Sequence, residues 1–203
     1  MSEIKEIPVD WWRTYGRPAT KEDWKKWTFF SFREDLENIP EYPAPEGYRI
    51  RMYQGPADRE AWAKVWQAAS IKGWDWATLE TFDHDFGTSP VVLSRRCLFA
   101  ETARGKAVGI VSAWHKRMYG KRWGMIHWFG VAPAHQGRGL GKALLTECLR
   151  TMRSLGHRRA MVGTQLIRLP AIKTYLDMGF VPEDAAIRKL LRKYIGRHAS
   201  LPI

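Results

Sequence analysis

Apolar residues along this chain change period several times, and each change marks an element. Tyr48-Arg49-Ile50-Arg51-Met52-Tyr53 alternates with period two and predicts a strand. Gly55-Pro56 then turns the chain into a helix with Asp58 near its start and Trp62, Val65 and Trp66 on one face. After a break at Ser70-Ile71-Lys72-Gly73-Trp74-Asp75-Trp76, a second helix runs to about Phe86. Residues 97–102 and 107–114 read as two strands joined by a short turn at Arg104-Gly105-Lys106. Gly124-Met125-Ile126-His127-Trp128-Phe129-Gly130-Val131 is the fourth predicted strand. Beyond it, Leu140, Leu144, Leu145, Cys148, Leu149, Met152 and Leu155 recur at helical spacing until Gly156 stops the helix. Residues 157–164 predict a fifth strand and 170–178 another helix, while the basic segment 187–195 leaves strand and short helix both open. The order is that of a mixed α/β domain, without internal repeats.

Ahead of Tyr48 the pattern differs. Residues 1–46 hold Trp11, Trp12, Trp24 and Trp27, four of the eleven tryptophans, followed by Phe29, Phe30 and Phe32. Thr20 is placed to cap a short helix with Glu22 and Asp23 in its first turn. A proline-rich connector, residues 39–47, closes the segment. So much aromatic area argues against disorder. The expected organisation is a Trp-rich acidic extension, 1–46, docked on a main domain, 47–203. The extension serves as plain packing, as a wall of a pocket, or as a subunit interface.

With 203 residues and 45% hydrophobic content, the chain is long enough for one domain with a substantial core. No apolar run approaches the roughly 20 residues of a membrane span, and Met1-Ser2-Glu3-Ile4-Lys5-Glu6 lacks a signal-peptide layout. The expectation is a cytoplasmic protein without a membrane partner. Cys97 and Cys148 sit in apolar patterns and read as buried thiols. Asp83-His84-Asp85 has no further ligands clustered near it in sequence, so a solvated turn is expected there and no metal site. The net charge of +12 is uneven: residues 1–46 carry seven Lys/Arg against ten Asp/Glu, the remainder 26 against 11. Such a basic body suits a polyphosphate ligand or nucleic acid. No zinc-finger, RNA-recognition or helix-turn-helix spacing accompanies the charge, so nucleic acid is not the expected partner.

Between Val131 and the long helix lies Gln136-Gly137-Arg138-Gly139-Leu140-Gly141-Lys142. A glycine-rich turn from a buried strand into a helix points several unpaired backbone N–H groups at one spot, with the positive end of the helix dipole behind them. Glycines let an anion approach the backbone closely, and Arg138 and Lys142 add charge beside it. A P-loop is excluded, because Gln136 stands where its first Gly belongs and Ala143 where its hydroxyl belongs. The dinucleotide fingerprint fails at Lys142. What fits is Gln-x-x-Gly-x-Gly, and that spacing resembles the acetyl-CoA-binding motif of the GNAT superfamily of N-acyltransferases. A second block, residues 168–182, resembles that family's Ala-x-x-x-Tyr helix closing on Gly-Phe, here Ala171, Tyr175, Gly179 and Phe180. The resemblance covers roughly residues 48–185. Pro45-Glu46-Gly47-Tyr48 and Arg168-Leu169-Pro170-Ala171-Ile172 are also faintly similar to the mycothiol-synthase-like branch, which assigns no substrate. One departure stands out: the second block commonly opens with Asn, and Arg168 occupies that place.

The resemblance implies a mixed, mainly antiparallel central sheet flanked by helices and splayed between the fourth and fifth strands. It implies acetyl-CoA as co-substrate on Gln136, Gly137, Arg138, Gly139, Leu140, Gly141 and Lys142, with backbone groups of Phe129 and Val131 on the pantetheine arm and acyl oxygen. Tyr175 matches the tyrosine that protonates the leaving sulfur, a task suited to a phenol of pKa about 10. Period-two alternation puts His127 on the face of Phe129 and Val131, where an imidazole can take the amine proton; the other reading is a satisfied core histidine. Glu101 is the reserve base. Trp74, Asp75 and Trp76 fall where the family's first helices line the acceptor cleft, and two indoles flanking a carboxylate suit a cationic amine; core tryptophans with Asp75 as a helix cap is the alternative. The expected activity is acetyl transfer to a small-molecule amine, with a protein acceptor or a non-catalytic acyl-CoA-binding module as alternatives. A homodimer is left open by the family's habits.

Overall fold

The computed structural model describes residues 28–69, 78–166 and 168–195. The helix predicted at Thr20, the four leading tryptophans and Trp74-Asp75-Trp76 lie outside the described residues. The described residues form two compact units, one within 34–160 and one made of 28–33 with those of 161–195.

In the larger unit, β2 (Tyr48–Met52), β3 (Cys97–Thr102), β4 (Ala107–Met118) and β5 (Lys121–Val131) pair antiparallel in that order. The helices α1 (Ala57–Ala69), α2 (Leu79–Phe86) and α3 (Pro90–Arg96) precede β3, and α4 (Leu140–Ser154) follows β5 through the one-turn 3-10 helix Pro133–His135. Each face of this sheet has its own cover. A Cβ on Gly124 would meet Met152 at 2.8 Å and one on Gly109 would meet Leu144 at 2.8 Å, so α4 presses onto the face shared by these two positions. Gly130 faces the other way, toward Trp66 and Ala69 of α1. On that side Trp62, Trp66, Phe82, Phe86, Leu93, Phe99 and Ile110 form one buried cluster. Such burial, at about 25 cal/mol per Å² of apolar area, is what holds α1 and α2 in place. Thr78 and Thr81 close a capping box at the start of α2.

α3 is an element the apolar pattern did not reveal, although Ser89-Pro90 is a legible start: an N-cap followed by proline at the first helical position. Beyond α4, Gly156 adopts φ +82° and His157 N–H donates to Met152 O at 3.0 Å while Gly156 N–H donates to Arg153 O at 3.0 Å. This paired closure makes Gly156 the stop that the sequence predicts.

In the smaller unit, the strand order is β6 (Ala160–Gln165), β1 (Thr28–Arg33), β7 (Val181–Pro182), with α5 (Leu169–Asp177) and α6 (Ala185–Ile195). β1 comes from the aromatic leader and pairs antiparallel with β7, Ser31 opposite Pro182 and Phe32 opposite Val181. Phe29, Leu166, Ile172, Ile187 and Leu191 make its core. The Arg33 guanidinium is buried and donates to Met178 O, tying the end of α5 to the strand. The segment 187–195 resolves to the helix α6, whose start is capped by Asp184 Oδ1 accepting from Ala186 N–H at 2.6 Å. The predicted fourth and fifth strands are β5 and β6, one in each unit. Both cysteines are buried free thiols, and burial pushes the Cys97 thiol up to about 11.

Candidate active site

The strand-to-helix loop is built around a side chain that holds it closed. Gln136 Nε2 donates to Val131 O at 2.8 Å, bridging the five residues from strand end to loop. Ala132 N–H donates to Val108 O at 2.8 Å, and Tyr48 Oη meets His135 Nδ1 at 2.8 Å, so both ends of the turn are anchored to neighbouring strands. Gly137 and Gly139 have φ of +74° and +85°, conformations that favour glycine, and a Cβ on either would meet nothing within 4 Å. Gly139 is the N-cap of α4 and supplies no side-chain cap, and no acidic residue stands in the first turn. The first amides of α4 therefore lie at the positive end of the helix, beside open space at Gly137 and Gly139. Lys142 lies over the Tyr42 ring at 4.8 Å, which places a cation beside the helix start, and Arg138 is exposed on the loop. Leu140 is buried as the helix anchor, and a Cβ on Gly141 would lie 3.3 Å from the Phe129 ring, so a larger residue would displace it. Gln136, Gly137, Arg138, Gly139, Leu140, Gly141 and Lys142 thus form one continuous cradle, with Phe129 against it.

The β4–β5 ladder is interrupted next to this loop. Ser112 pairs with His127 and Ile110 with Gly130, so β5 carries one residue more than its partner, and Trp128 adopts φ +51°. This bulge corrects the expectation that His127, Phe129 and Val131 share a face. Val131 and Phe129 point to the α4 side, toward Gly109 and Gly141 respectively. His127 points to the opposite side and meets Phe86 of α2, ring centroids 5.5 Å apart. Alternation holds only where the ladder is regular, and the extra residue reverses the side on which His127 lies relative to the two that follow.

On that side the structure brings His127 to Asp85, which lies in α2 and not in the solvated turn expected of Asp83-His84-Asp85. Asp85 Oδ2 lies 3.4 Å from His127 Nε2 and accepts from Trp128 Nε1 at 2.6 Å, while its Oδ1 meets His84 Nδ1 at 2.8 Å. The hydrogen bond from His127, with those from His84 and Trp128, outweighs the effect of burial and pulls the Asp85 carboxyl down to about 2. His127 keeps 29% of its side chain exposed, so the ring is reachable. Around it Trp128 packs edge-on against Trp62 and Trp66 at 4.8 and 4.6 Å, and Phe86 against Trp114 at 5.3 Å. The clue to Asp85 was its position one residue before Phe86, on the edge of the apolar face of α2.

Glu101 has a different place. It is buried, and its carboxylate is gripped by Arg49 and by Arg51, whose Nε donates at 2.5 Å. Burial raises its pKa, but the two guanidiniums prevail and the carboxyl sits below its ordinary range. Arg51 continues to Asp58 at 2.7 Å, making an ion network at the start of α1. Tyr175, on α5 of the smaller unit, is 6% exposed and meets Phe180 edge-on at 6.2 Å. Arg168 occupies the N-cap position of α5 without a side-chain cap bond. Among the described residues no group of three or more His, Cys, Asp or Glu could hold a metal ion, and no helix is long and apolar enough to cross a membrane.

Residues 59–180, more than half of the chain, match the Acetyltransferase (GNAT) family. The chain belongs to this family. Within it, the chain is 29% identical over 147 residues to a mycothiol acetyltransferase of Streptomyces coelicolor, covering 72% of this chain and 47% of that protein. It is 30% identical over 170 residues to one of Mycobacterium ulcerans, covering 73% and 52%. The chain spans about half the length of the curated relatives it matches. Among solved structures, a GCN5-related N-acetyltransferase from Sphaerobacter thermophilus superposes with a TM-score of 0.59 at 22% identity over 77% of this chain and 48% of its own. At that identity the likeness shows the fold: mixed α/β with a mainly antiparallel sheet.

Proposed function

We propose that this GNAT protein is an N-acetyltransferase that moves an acetyl group from acetyl-CoA directly to the amine of a small-molecule acceptor. The observation that carries this is the cradle: a loop pinned by Gln136, two left-handed glycines with open space where side chains would stand, and an uncapped start of α4. A diphosphate fits such a cradle through the α4 amides, with Arg138 and Lys142 beside it. Acetyl-CoA supplies the acyl group as a thioester, and the acceptor nitrogen forms the new C–N bond as the C–S bond breaks.

The protein's own tasks are then to bind the amine, remove its proton and protonate the departing sulfur. Ionised Asp85 and the indole faces of Trp114 and Trp128 attract an ammonium group. With Nε2–H directed at Asp85 Oδ2, neutral His127 offers its Nδ1 lone pair to the amine proton. Tyr175 gives its phenolic proton to sulfur. Backbone groups of Phe129 and Val131 remain, by family resemblance, the contacts of the pantetheine arm and acyl oxygen, and Trp74, Asp75 and Trp76 remain candidates for the acceptor cleft. The enclosed aromatic surroundings of His127 favour a small acceptor over a protein chain. With this reading go a cytoplasmic location and a homodimer, the latter checked by light scattering.

The test is thiol release from acetyl-CoA with a panel of primary amines. Turnover is expected with at least one amine, and Tyr175→Phe is expected to lower kcat by about 100-fold or more while acetyl-CoA binding persists. Acetyl-CoA binding without turnover of any amine would replace the enzyme reading with a non-catalytic acyl-CoA-binding module.

A further inference from the structure

A second concave site lies in the larger unit at the far end of α4. The helix has 15 residues, so at 1.5 Å per residue its last turn is about 22 Å from the glycine loop. Here the start of β5 and the turn after α4 enclose a pocket of about 340 Å³ lined by Lys121, Arg122, Leu155, Gly156, His157, Arg158 and Arg159. The two walls are tied together, because Gly124 N–H donates to Arg159 O at 3.0 Å, and the closure of α4 on Met152 fixes His157. The pocket is therefore a built feature of two turns and not a gap between loose side chains.

Four of its lining residues are cationic, and their charge is hardly answered. Lys121, Arg122 and Arg158 pair with no carboxylate among the described residues. Among the described residues Arg159 has one carboxylate partner, Glu34 at 3.5 Å, itself 65% exposed, and lies over the Trp123 ring at 5.4 Å. Arg117 stands directly opposite Arg122 across the β4–β5 ladder, a like-charge pairing that costs stability. At the base, His157 is only 5% exposed and its Nε2 is buried without a hydrogen-bond partner. The His115 ring stacks on it at 6.3 Å, and Arg96 stands near enough to act on both imidazoles. Burial first, then Arg122, Arg96 and His115, pushes His157 down to about 4, so the ring is neutral near pH 7. Among the described residues, these cations around one recess leave room for an anionic ligand.

We propose that this pocket is a binding site for a small phosphoryl-bearing anion, held by Lys121, Arg122, Arg158 and Arg159 above the buried His157. Guanidinium forks match the oxygens of a phosphoryl group in a way a single carboxylate does not exploit, and a recess of this volume admits a phosphomonoester with its organic part. The recess is concave and confined to two short turns, which favours a small molecule over an extended nucleic-acid backbone. This site is separate from the glycine loop and does not depend on it.

Inorganic pyrophosphate is the probe, added to the full chain at pH 7 and low salt while the His157 ring signals are followed by NMR. Saturable movement of those signals is expected, with the His157 pKa raised by about one unit. Arg122→Gln with Arg158→Gln should weaken that response at least tenfold without lowering the unfolding temperature, whereas Gly139→Trp should leave it unchanged. His157 signals that ignore pyrophosphate, or a response untouched by the double substitution, would overturn the proposal. A duplex oligonucleotide that moves them where pyrophosphate does not would overturn the small-anion class.

Discussion

Asp85 is the side chain on which the proposed acceptor side turns. It is held ionised by His127 first and then by His84 and Trp128, so its carboxyl titrates near 2 where an unperturbed one titrates near 4. A depressed carboxyl adds stability that is present above its unfolded pKa and lost as pH falls through the folded value. Asp85→Asn should therefore show less loss of unfolding free energy between about pH 4 and pH 2 than the wild type, measured by urea titration. The same substitution removes the carboxylate that faces His127 Nε2 and should lower kcat/KM by about 10-fold or more; an unchanged kcat/KM would take the base role from His127. Gly139 makes a separate prediction, since an alanine at φ +85° must adopt a strained conformation and should cost about 1 kcal/mol or more. Residue identity made the loop legible, because Gln136 holds the loop to Val131 O and Gly137 and Gly139 take left-handed backbone. The partner of His127 was not legible, because Asp85 reaches it only through the packing of α2 on β5.

Elements were legible where their period was unbroken. α1 and α4 follow their apolar stripes, and β3 and β4 pair across the turn their glycine predicts. The bulge between His127 and Gly130 has no such signature, since an extra residue in one strand is set by its register against the other. β1 went unseen inside a leader marked by composition, although Phe29, Ser31 and Arg33 alternate inward with strand period. α6 carries Ile187, Leu190 and Leu191 at helical spacing, but a short basic segment fits both periods until Asp184 is seen to cap it. The turn after α4 yields a prediction of its own. His157 is buried neutral, with a folded pKa near 4 against an unfolded value near 6.5. Its contribution is complete above pH 6.5 and is lost as pH falls toward 4, because the unfolded chain takes the proton first. Wild-type stability should rise between pH 4 and 6.5 more steeply than that of His157→Gln, measured by denaturant titration in a buffer free of phosphate.

Across the whole molecule, the charge of +12 is concentrated outside the first 46 residues, and the loop at the start of α4 and the recess beyond its end concentrate it further. Encounter with an anionic ligand should be fast at low salt and slow several-fold as ionic strength rises, a trend stopped-flow mixing with acetyl-CoA can read. The central claim is that the Gln136–Gly141 loop holds acetyl-CoA, and calorimetric titration at physiological salt tests it most directly. Wild type should bind with one-to-one stoichiometry, and Gly139→Trp combined with Gly141→Trp should abolish binding while the protein stays folded. A folded wild type that gives no heat with acetyl-CoA, or a variant that binds as tightly, would contradict it.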